Sequence, residues 1–295
     1  MVDTNSKTNM INNDSCVPSK KSDELVSPAT SEELSEEYLY RFSGIARLYG
    51  RPALEAFSRA HFVVVGLGGV GSWVAEAFAR SGVGEITLIE LDDICSSNIN
   101  RQMQALSSTI GKQKLDVVGQ RLKDINPELK LHLIQDFLST KNLNQYISKE
   151  HDVVVDAIDS ANVKSALAAF CSAIKTRLIV VGSSGGKRNP QDITCSDLAK
   201  TCSDPLLAKI RSQLYRLHGF SRDKGRKFRI DAVYSTEQMV YPKPDGSVCM
   251  DKKVLTEGTK LDCASGFGSS MIVTSTFAMV AVQKSIDRYL VKCKV

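Results

Sequence analysis

A doubly wound α/β domain with a mostly parallel sheet is the fold this sequence predicts, and three observations predict it. Short apolar runs recur along the chain, with Val-Val-Val appearing at 63–65 and again at 153–155. Segments with helical signals lie between those runs, and strands that alternate with helices imply parallel neighbours joined by crossovers. The first run passes directly into a glycine-rich turn followed by a helix, the opening of a nucleotide-binding βαβ unit of Rossmann-like type.

The elements follow in order. Residues 54–59 read as a helix leading into the strand His61-Phe62-Val63-Val64-Val65. After the turn, a helix over 72–81 stops at Gly82, and Ile86-Thr87-Leu88-Ile89-Glu90 is the second strand. Residues 112–125 form a helix that ends before Asn126-Pro127, and 131–135 is a third strand. The strand Val153-Val154-Val155-Asp156-Ala157-Ile158 leads to a helix over 162–175. The strand Leu178-Ile179-Val180-Val181 then ends in Gly182-Ser183-Ser184-Gly185-Gly186. Residues 263–283 carry no charge and would just span a bilayer, yet they include two glycines and six Ser or Thr. A buried helix, packed on the sheet or at a dimer interface, is the expectation there, with looser membrane association left open.

The glycine turn is Gly66-Leu67-Gly68-Gly69-Val70-Gly71-Ser72. Glycines let a backbone approach a phosphate chain, and a helix N-terminus offers free N–H groups and a partial positive charge. Glu90 lies 24 residues after Gly66, where an acid accepts hydrogen bonds from ribose hydroxyls. Asn98, Arg101 and Lys114 come next. A dinucleotide needs few cations here, whereas cleavage of a nucleoside triphosphate builds charge on its leaving group that fixed cations stabilise. Asp159 follows the strand at 153–158, at the sheet edge where ligands bind, and could hold the Mg²⁺ that accompanies ATP. Taken singly, Arg101 and Lys114 also read as surface charges and Asp159 as a helix N-cap.

Gly66 to Gly71, Asn98 with Arg101, Lys114 and Asp159 resemble the adenylating core of the E1-like family. Ubiquitin-activating enzymes and the bacterial MoeB, ThiF and HesA type share that core. Further stretches resemble one branch of the family, the tRNA threonylcarbamoyladenosine dehydratases. They are Arg41 to Gly50, Asp197 to Thr201, Asp204-Pro205-Leu206, Tyr234-Ser235-Thr236-Glu237 and Asp262 to Gly268. The resemblance covers the chain from about Arg41 onward. It implies a sheet of E1 adenylation type with a C-terminal extension, ATP and Mg²⁺ as cofactors, and dehydration of threonylcarbamoyladenosine at tRNA position 37 through an acyl adenylate. On that reading Arg101 and Lys114 stabilise the phosphates and Asn98 orients them. Glu90 and the turn residues Gly66, Gly68, Gly69, Gly71 and Ser72 hold the nucleotide, and Asp159 carries the metal. The resemblance also implies a homodimer, in which an N-terminal arginine enters the partner's ATP site. The usual arginine position holds glycine in Arg41-Phe42-Ser43-Gly44, so Arg41 and Arg47 both remain candidates.

Composition agrees. The 295 residues are 42% hydrophobic, enough for one large domain over residues 38–295. Residues 1–37 hold eight acids against three lysines and no apolar periodicity, which predicts a disordered polar tail rather than a signal peptide. With net −5 there and net +5 overall, the body carries +10. Between residues 205 and 229 eight cations face only Asp223, an electrostatic footprint for a polyanion. Arg222, Arg226 and Lys227 are the candidates for tRNA phosphate contacts, and no DNA partner is expected.

None of the eight cysteines forms a Cys-x-x-Cys pair, so the zinc site common in sulfur-carrier activators is not visible. The thiols are expected to stay reduced in the cytoplasm, and Cys195 and Cys202 are the nearest candidates for a reactive cysteine. Two rival functions remain, besides a non-catalytic RNA-binding protein with a relic nucleotide fold, against which the intact site residues argue. One is activation of a ubiquitin-like sulfur carrier, with sulfur-transfer partners such as a cysteine desulfurase system. The other is a nicotinamide-dependent oxidoreductase, which leaves Arg101, Lys114 and Asp159 unexplained.

Overall fold

The structure, a computed structural model, describes residues 33–223, 225–243, 245–251 and 267–295. Its elements run α1 (Glu36–Arg41), α2 (Ser43–Tyr49), α3 (Arg51–Arg59), β1 (His61–Val65), α4 (Gly71–Arg80), β2 (Glu85–Ile89), α5 (Lys114–Ile125) and β3 (Lys130–Ile134). There follow α6 (Leu143–Tyr146), β4 (Val153–Asp156), α7 (Ala161–Ile174), β5 (Arg177–Val181), β6 (Ile193–Asp197), α8 (Pro205–Leu217) and β7 (Asp231–Ser235). A small hairpin of β8 (Tyr241–Pro242) and β9 (Val248–Cys249) precedes α9 (Met271–Cys293).

Seven strands form one sheet in the order β3-β2-β1-β4-β5-β7-β6, parallel except for β6, which pairs antiparallel with β7. The chain leaves β1 toward β2 on one side and later returns to β4 on the other. The crevice beyond the C-terminal ends of β1 and β4 is therefore the switch point where such sheets bind ligands.

Strand β1 shows why its sequence is an unbroken apolar run. Phe62 and Val64 belong to the core beneath α3, α4 and α9, while Val63 and Val65 belong to the core beneath α7 and α8. A strand covered on both faces has no side left for polar residues. On the first face, the rings of Phe62, Phe78 and Tyr289 meet edge to face, and the Tyr289 hydroxyl donates to the Ala56 carbonyl at 2.8 Å.

Two expectations about boundaries change. The apolar C-terminal helix is α9, starting at Met271 and ending at Cys293, well past the charge-free stretch. Its buried positions Val273, Phe277, Ala281, Ile286 and Tyr289 keep helical spacing through the charged end, so packing on the sheet sets its length. Residues 263–266 lie outside the described residues. No helix among the described residues is long and apolar enough to cross a membrane. The polar tail expected through Glu37 stops earlier, since Ser35 caps α1 by accepting from the Tyr38 N–H at 3.0 Å. Residues 1–32 lie outside the described residues, and from Leu34 onward the chain forms one unit.

Candidate functional site

The glycine turn leaves β1 and enters α4, and its glycines answer specific steric demands. Gly66 has φ +86°, and a Cβ there would press on Ile158 and the Ala157 backbone. A Cβ on Gly71 would sit 1.8 Å from the Gly66 carbonyl oxygen. The turn is thus folded tightly on itself and against the end of β4. Ser72 is fully buried and braces it, its hydroxyl donating to the Gly68 carbonyl at 2.8 Å. The backbone N–H groups of Gly69, Val70 and Gly71 find no acceptor among the described residues, as expected at a helix N-terminus open to an anion.

Glu90 leaves the end of β2 and is buried, and its carboxylate organises three loops. One oxygen accepts from Leu67 N–H at 2.7 Å, the other from Leu91 and Asp92 N–H at 2.9 and 3.0 Å. Lys114, the first residue of α5, is 4% exposed and so is not a surface charge. Its ammonium lies 2.8 Å from the Asp92 carboxylate and 3.6 Å from that of Glu90. The fold therefore brings Glu90 and Lys114 together at the edge of the glycine turn.

Arg101 reaches the turn from the other side. Its side-chain stem lies over Gly69, where a Cβ would come within 3.2 Å of Arg101 Cγ. The guanidinium donates to the Ser97 carbonyl at 2.7 Å and to Asn100 Oδ1 at 3.0 Å. The Arg101 carbonyl accepts from Trp73 Nε1 on α4 at 3.0 Å and from the Thr274 hydroxyl on α9 at 3.4 Å. Asn98 is buried and shapes the same loop, its Oδ1 accepting from Cys95 N–H at 3.1 Å.

Asp159 lies beyond the end of β4, separated from the other candidates but next to the turn through Ala157 and Ile158. It is exposed, and its carboxylate makes no hydrogen bond or ion pair among the described residues. The helix cap is Ser160 instead, with no side-chain capping bond. A free carboxylate at this edge suits a Mg²⁺ ion, which binds through one or two carboxylates plus phosphate oxygens and water.

Several residues that hold the site escaped the sequence reading. Gln104 is buried and donates to the Leu67 carbonyl at 2.9 Å and to Gln102 Oε1 at 3.0 Å. Asp156 and Lys164 form an ion pair at 2.8 Å with both side chains fully buried, and the Lys164 ammonium also donates to the Asp156 carbonyl at 2.9 Å. Burial raises the Asp156 carboxyl above its usual range, and the Lys164 ammonium opposes that. The i to i+8 spacing of Asp156 and Lys164 carries no helical or strand period, so the pair is invisible until β4 and α7 are packed. Lys187 is buried too, donating to the carbonyls of Glu237 and of Ser203, the latter at 3.3 Å. Burial lowers its basicity, with Asp204 and Glu237 opposing.

Two of the stretches that resemble the dehydratase branch, those around Asp204 and Glu237, build loops beside this edge, whereas Asp197 pairs with Asp231 at the opposite end of the sheet. Asp204 caps α8 by accepting from Leu207 N–H at 2.9 Å and ties the end of β5 through Ser183 N–H at 2.8 Å. Glu237 accepts from the N–H groups of Arg188 and Asn189 at 2.8 and 3.0 Å. Asp197 accepts from Phe228 and Arg229 N–H at 3.0 and 2.7 Å, which anchors the end of the basic segment. Along that segment Lys209, Arg216, Arg222, Arg226, Lys227 and Arg229 are exposed, and Arg222 stacks over the Tyr215 ring at 5.8 Å. Lys224 lies outside the described residues.

Arg41 pairs with Glu37 on its own helix at 2.7 Å and borders a cavity of about 510 Å³ with Arg80 and Arg121. That cavity lies at the C-terminal end of α4, opposite the glycine turn. Burial pushes Cys195 up to about 11, and Cys202 is exposed, with Lys187 as a cationic neighbour.

A family model described as the ThiF family matches residues 42–286. The chain is 45% identical over 259 residues to the tRNA threonylcarbamoyladenosine dehydratase of Escherichia coli (strain K12), covering 88% of this chain and 97% of that protein. It superimposes on a solved structure of TcdA (CsdL) with a TM-score of 0.82 at 43% identity, over 89% of this chain and 98% of that one. A crystal structure of the E. coli tRNA N6-threonylcarbamoyladenosine dehydratase in complex with ATP gives a TM-score of 0.78 at 40% identity, with the same coverage.

Proposed function

This chain belongs to the ThiF family, and from that premise we propose that it is an ATP-dependent tRNA threonylcarbamoyladenosine dehydratase. One observation carries the reading. Open helix amides, a buried acid beside a buried lysine, an arginine laid over the glycine turn and a free carboxylate converge on the C-terminal ends of β1, β2 and β4.

The chemistry follows from what ATP does to a carboxylate, which is a poor electrophile because its leaving group would be oxide. The threonyl carboxylate attacks the α-phosphate, the bond to the β-phosphate breaks and pyrophosphate departs. An internal nucleophile of the threonylcarbamoyl group then attacks the acyl carbonyl. AMP leaves, a ring closes and water is lost overall. No protein nucleophile is needed, because the substrate supplies its own.

The residues divide the work by position. The amides at the start of α4 receive the phosphates, and Glu90 accepts from the ribose once a nucleotide is bound. Arg101 and Lys114 are fixed cations facing charge that grows on the departing pyrophosphate, and preorganised charges of this kind act most strongly where water is excluded. Lys114 is held in place by Asp92 and Glu90 before any substrate arrives. Asn98 sets the loop that carries Arg101. Asp159 would hold Mg²⁺, which screens the triphosphate and favours attack on it. The exposed cations from Lys209 to Arg229 are assigned to tRNA phosphates, which position an RNA without reading its sequence. The exposed Tyr40 and Leu48 on the N-terminal helices support a homodimer. The reaction is assigned to the cytoplasm, where ATP and tRNA meet.

Pyrophosphate release from ATP tests this reading. Release is expected with tRNA bearing threonylcarbamoyladenosine and not with the unmodified tRNA. Release driven instead by a ubiquitin-like carrier ending in Gly-Gly, with none from the modified tRNA, would replace it with sulfur-carrier activation.

A further inference from the structure

At the opposite edge of the sheet, where β1, β2 and β3 begin, three of the chain's four histidines gather around one carboxylate. The strand register makes this happen. His61 is paired with Glu85 across β1 and β2, and His132 with Thr87 across β2 and β3. Residues 85 and 87 share a face of β2, so His61, Glu85 and His132 project to the same side. His61 Nδ1 lies 3.4 Å and His132 Nε2 2.8 Å from the same Glu85 oxygen, and the three ligand atoms all fall within 4.8 Å of one another.

We propose that His61 Nδ1, the Glu85 carboxylate and His132 Nε2 form a site for one Zn²⁺ ion, with water completing the coordination. Two imidazoles and a carboxylate are a common zinc ligand set, and Zn–N and Zn–O bonds of about 2.0–2.2 Å hold tetrahedral ligand atoms about 3.4 Å apart. The His61–Glu85 separation already has that value. The His132 contact must open by roughly half an ångström, and His132 is half exposed on β3, the edge strand. A further feature fits metal binding. His61 Nε2 lies 2.8 Å from Thr87 Oγ1, which sets the ring plane so that Nδ1 faces Glu85. Metal-bound imidazoles commonly have their second nitrogen tethered in this way. The ring of His151 stands edge-on to His61 at 4.6 Å and shields that side. The ion would clamp the starts of three strands at the end of the sheet remote from the glycine turn, which makes its effect one on stability rather than on the chemistry.

Zinc alone is the probe. The full chain is dialysed against Zn²⁺, the bound metal counted by mass spectrometry and the melting temperature recorded with and without it. Wild type is expected to hold one equivalent and to melt higher when loaded. His132→Ala and Glu85→Gln should each lose that equivalent and its thermal shift, and Thr87→Val should weaken affinity about tenfold. Retained ATP binding shows that each variant is folded. Because eight cysteines compete for zinc, Co²⁺ substitution is the second measurement, and its spectrum should lack thiolate-to-metal charge transfer. Absence of a stoichiometric ion in wild type, an equivalent that survives both His132→Ala and Glu85→Gln, or a thiolate band would each overturn the proposal.

Discussion

Lys164→Met should cost a large share of the stability of about 5–15 kcal/mol that a domain has to lose, and in a pH-dependent way. In the native fold the Lys164 ammonium is 2.8 Å from Asp156 Oδ1, both side chains are fully buried, and Asp156 Oδ2 has no partner. Removing the lysine leaves a carboxylate with one remaining donor, the Ile158 N–H at 3.3 Å. Breaking one side of a buried ion pair typically costs about 3–5 kcal/mol. An upper bound comes from the carboxylate's escape route, which is to bind a proton. With an unfolded value near 3.9, protonation at pH 7 costs about 4 kcal/mol at about 1.36 kcal/mol per unit. A loss of about 3–4 kcal/mol at pH 7 is therefore expected.

The sign of the pH dependence follows from proton counting. In the variant, the folded value of Asp156 lies above the unfolded one, so the folded state binds the extra proton and stability falls as pH rises. The deficit should shrink by about 1.4 kcal/mol per unit as pH is lowered from about 7 toward 5. Wild type should show little of this slope. There the Lys164 ammonium opposes the rise that burial imposes on the Asp156 carboxyl. Urea unfolding followed by fluorescence of Trp73, the single tryptophan, reads the effect. Adding Asp156→Asn to Lys164→Met should recover part of the loss and abolish the slope. A single variant as stable as wild type, or a deficit independent of pH, would refute the reasoning.

Three further outcomes can be checked. Arg101→Ala and Lys114→Ala should each lower turnover by roughly a hundredfold or more, since loss of one preorganised charge contact costs about 3–4 kcal/mol; near-normal turnover of a folded variant would remove the assigned role. Reversing Arg222, Arg226 and Lys227 to glutamate should weaken tRNA binding and lower the log–log salt slope by roughly one unit per lost contact, with ATP affinity little changed; an unchanged slope would mean the RNA docks elsewhere. Gly71→Ala places a Cβ 1.8 Å from the Gly66 carbonyl oxygen, whereas a Cβ at Gly68 meets nothing within 4 Å. A melting curve should therefore show Gly71→Ala losing about 1–3 kcal/mol or more and Gly68→Ala far less, and equal losses would contradict the packing described for the turn.

The sheet was legible because its strands carry their own signal. A strand buried on both faces must be apolar throughout, and β1, β4 and β5 announce themselves as runs of Val and Ile. The glycine turn was legible for a comparable reason, since a chain that reverses tightly beside a phosphate cannot carry side chains at 66 and 71. Other elements were hidden. Strand β6, Ile193-Thr194-Cys195-Ser196-Asp197, mixes polar and apolar residues because it forms the sheet edge, and β7, Asp231-Ala232-Val233-Tyr234-Ser235, is buried beside it although polar residues stand at both its ends. Glu36 and Glu37 read as the end of the polar tail, and docking of Tyr38 and Phe42 against Leu54 places them in the first turn of α1 instead.

The sequence by itself determined which residue types stand at the ends of the strands, and so the class of ligand to expect there. Those facts are local, because a turn, a strand and a charge cluster each declare themselves within a few residues. Only the tertiary structure decided how these groups work together. Lys114 is a surface charge or a buried cation according to whether α5 starts beside Glu90 and Asp92. Asp156 is a strand residue like its neighbours until α7 brings Lys164 against it. His61, Glu85 and His132 are 24 and 47 residues apart in the chain and become neighbours through strand register alone. Contacts across a sheet depend on the order in which strands are laid down, and no local pattern in the chain encodes that order.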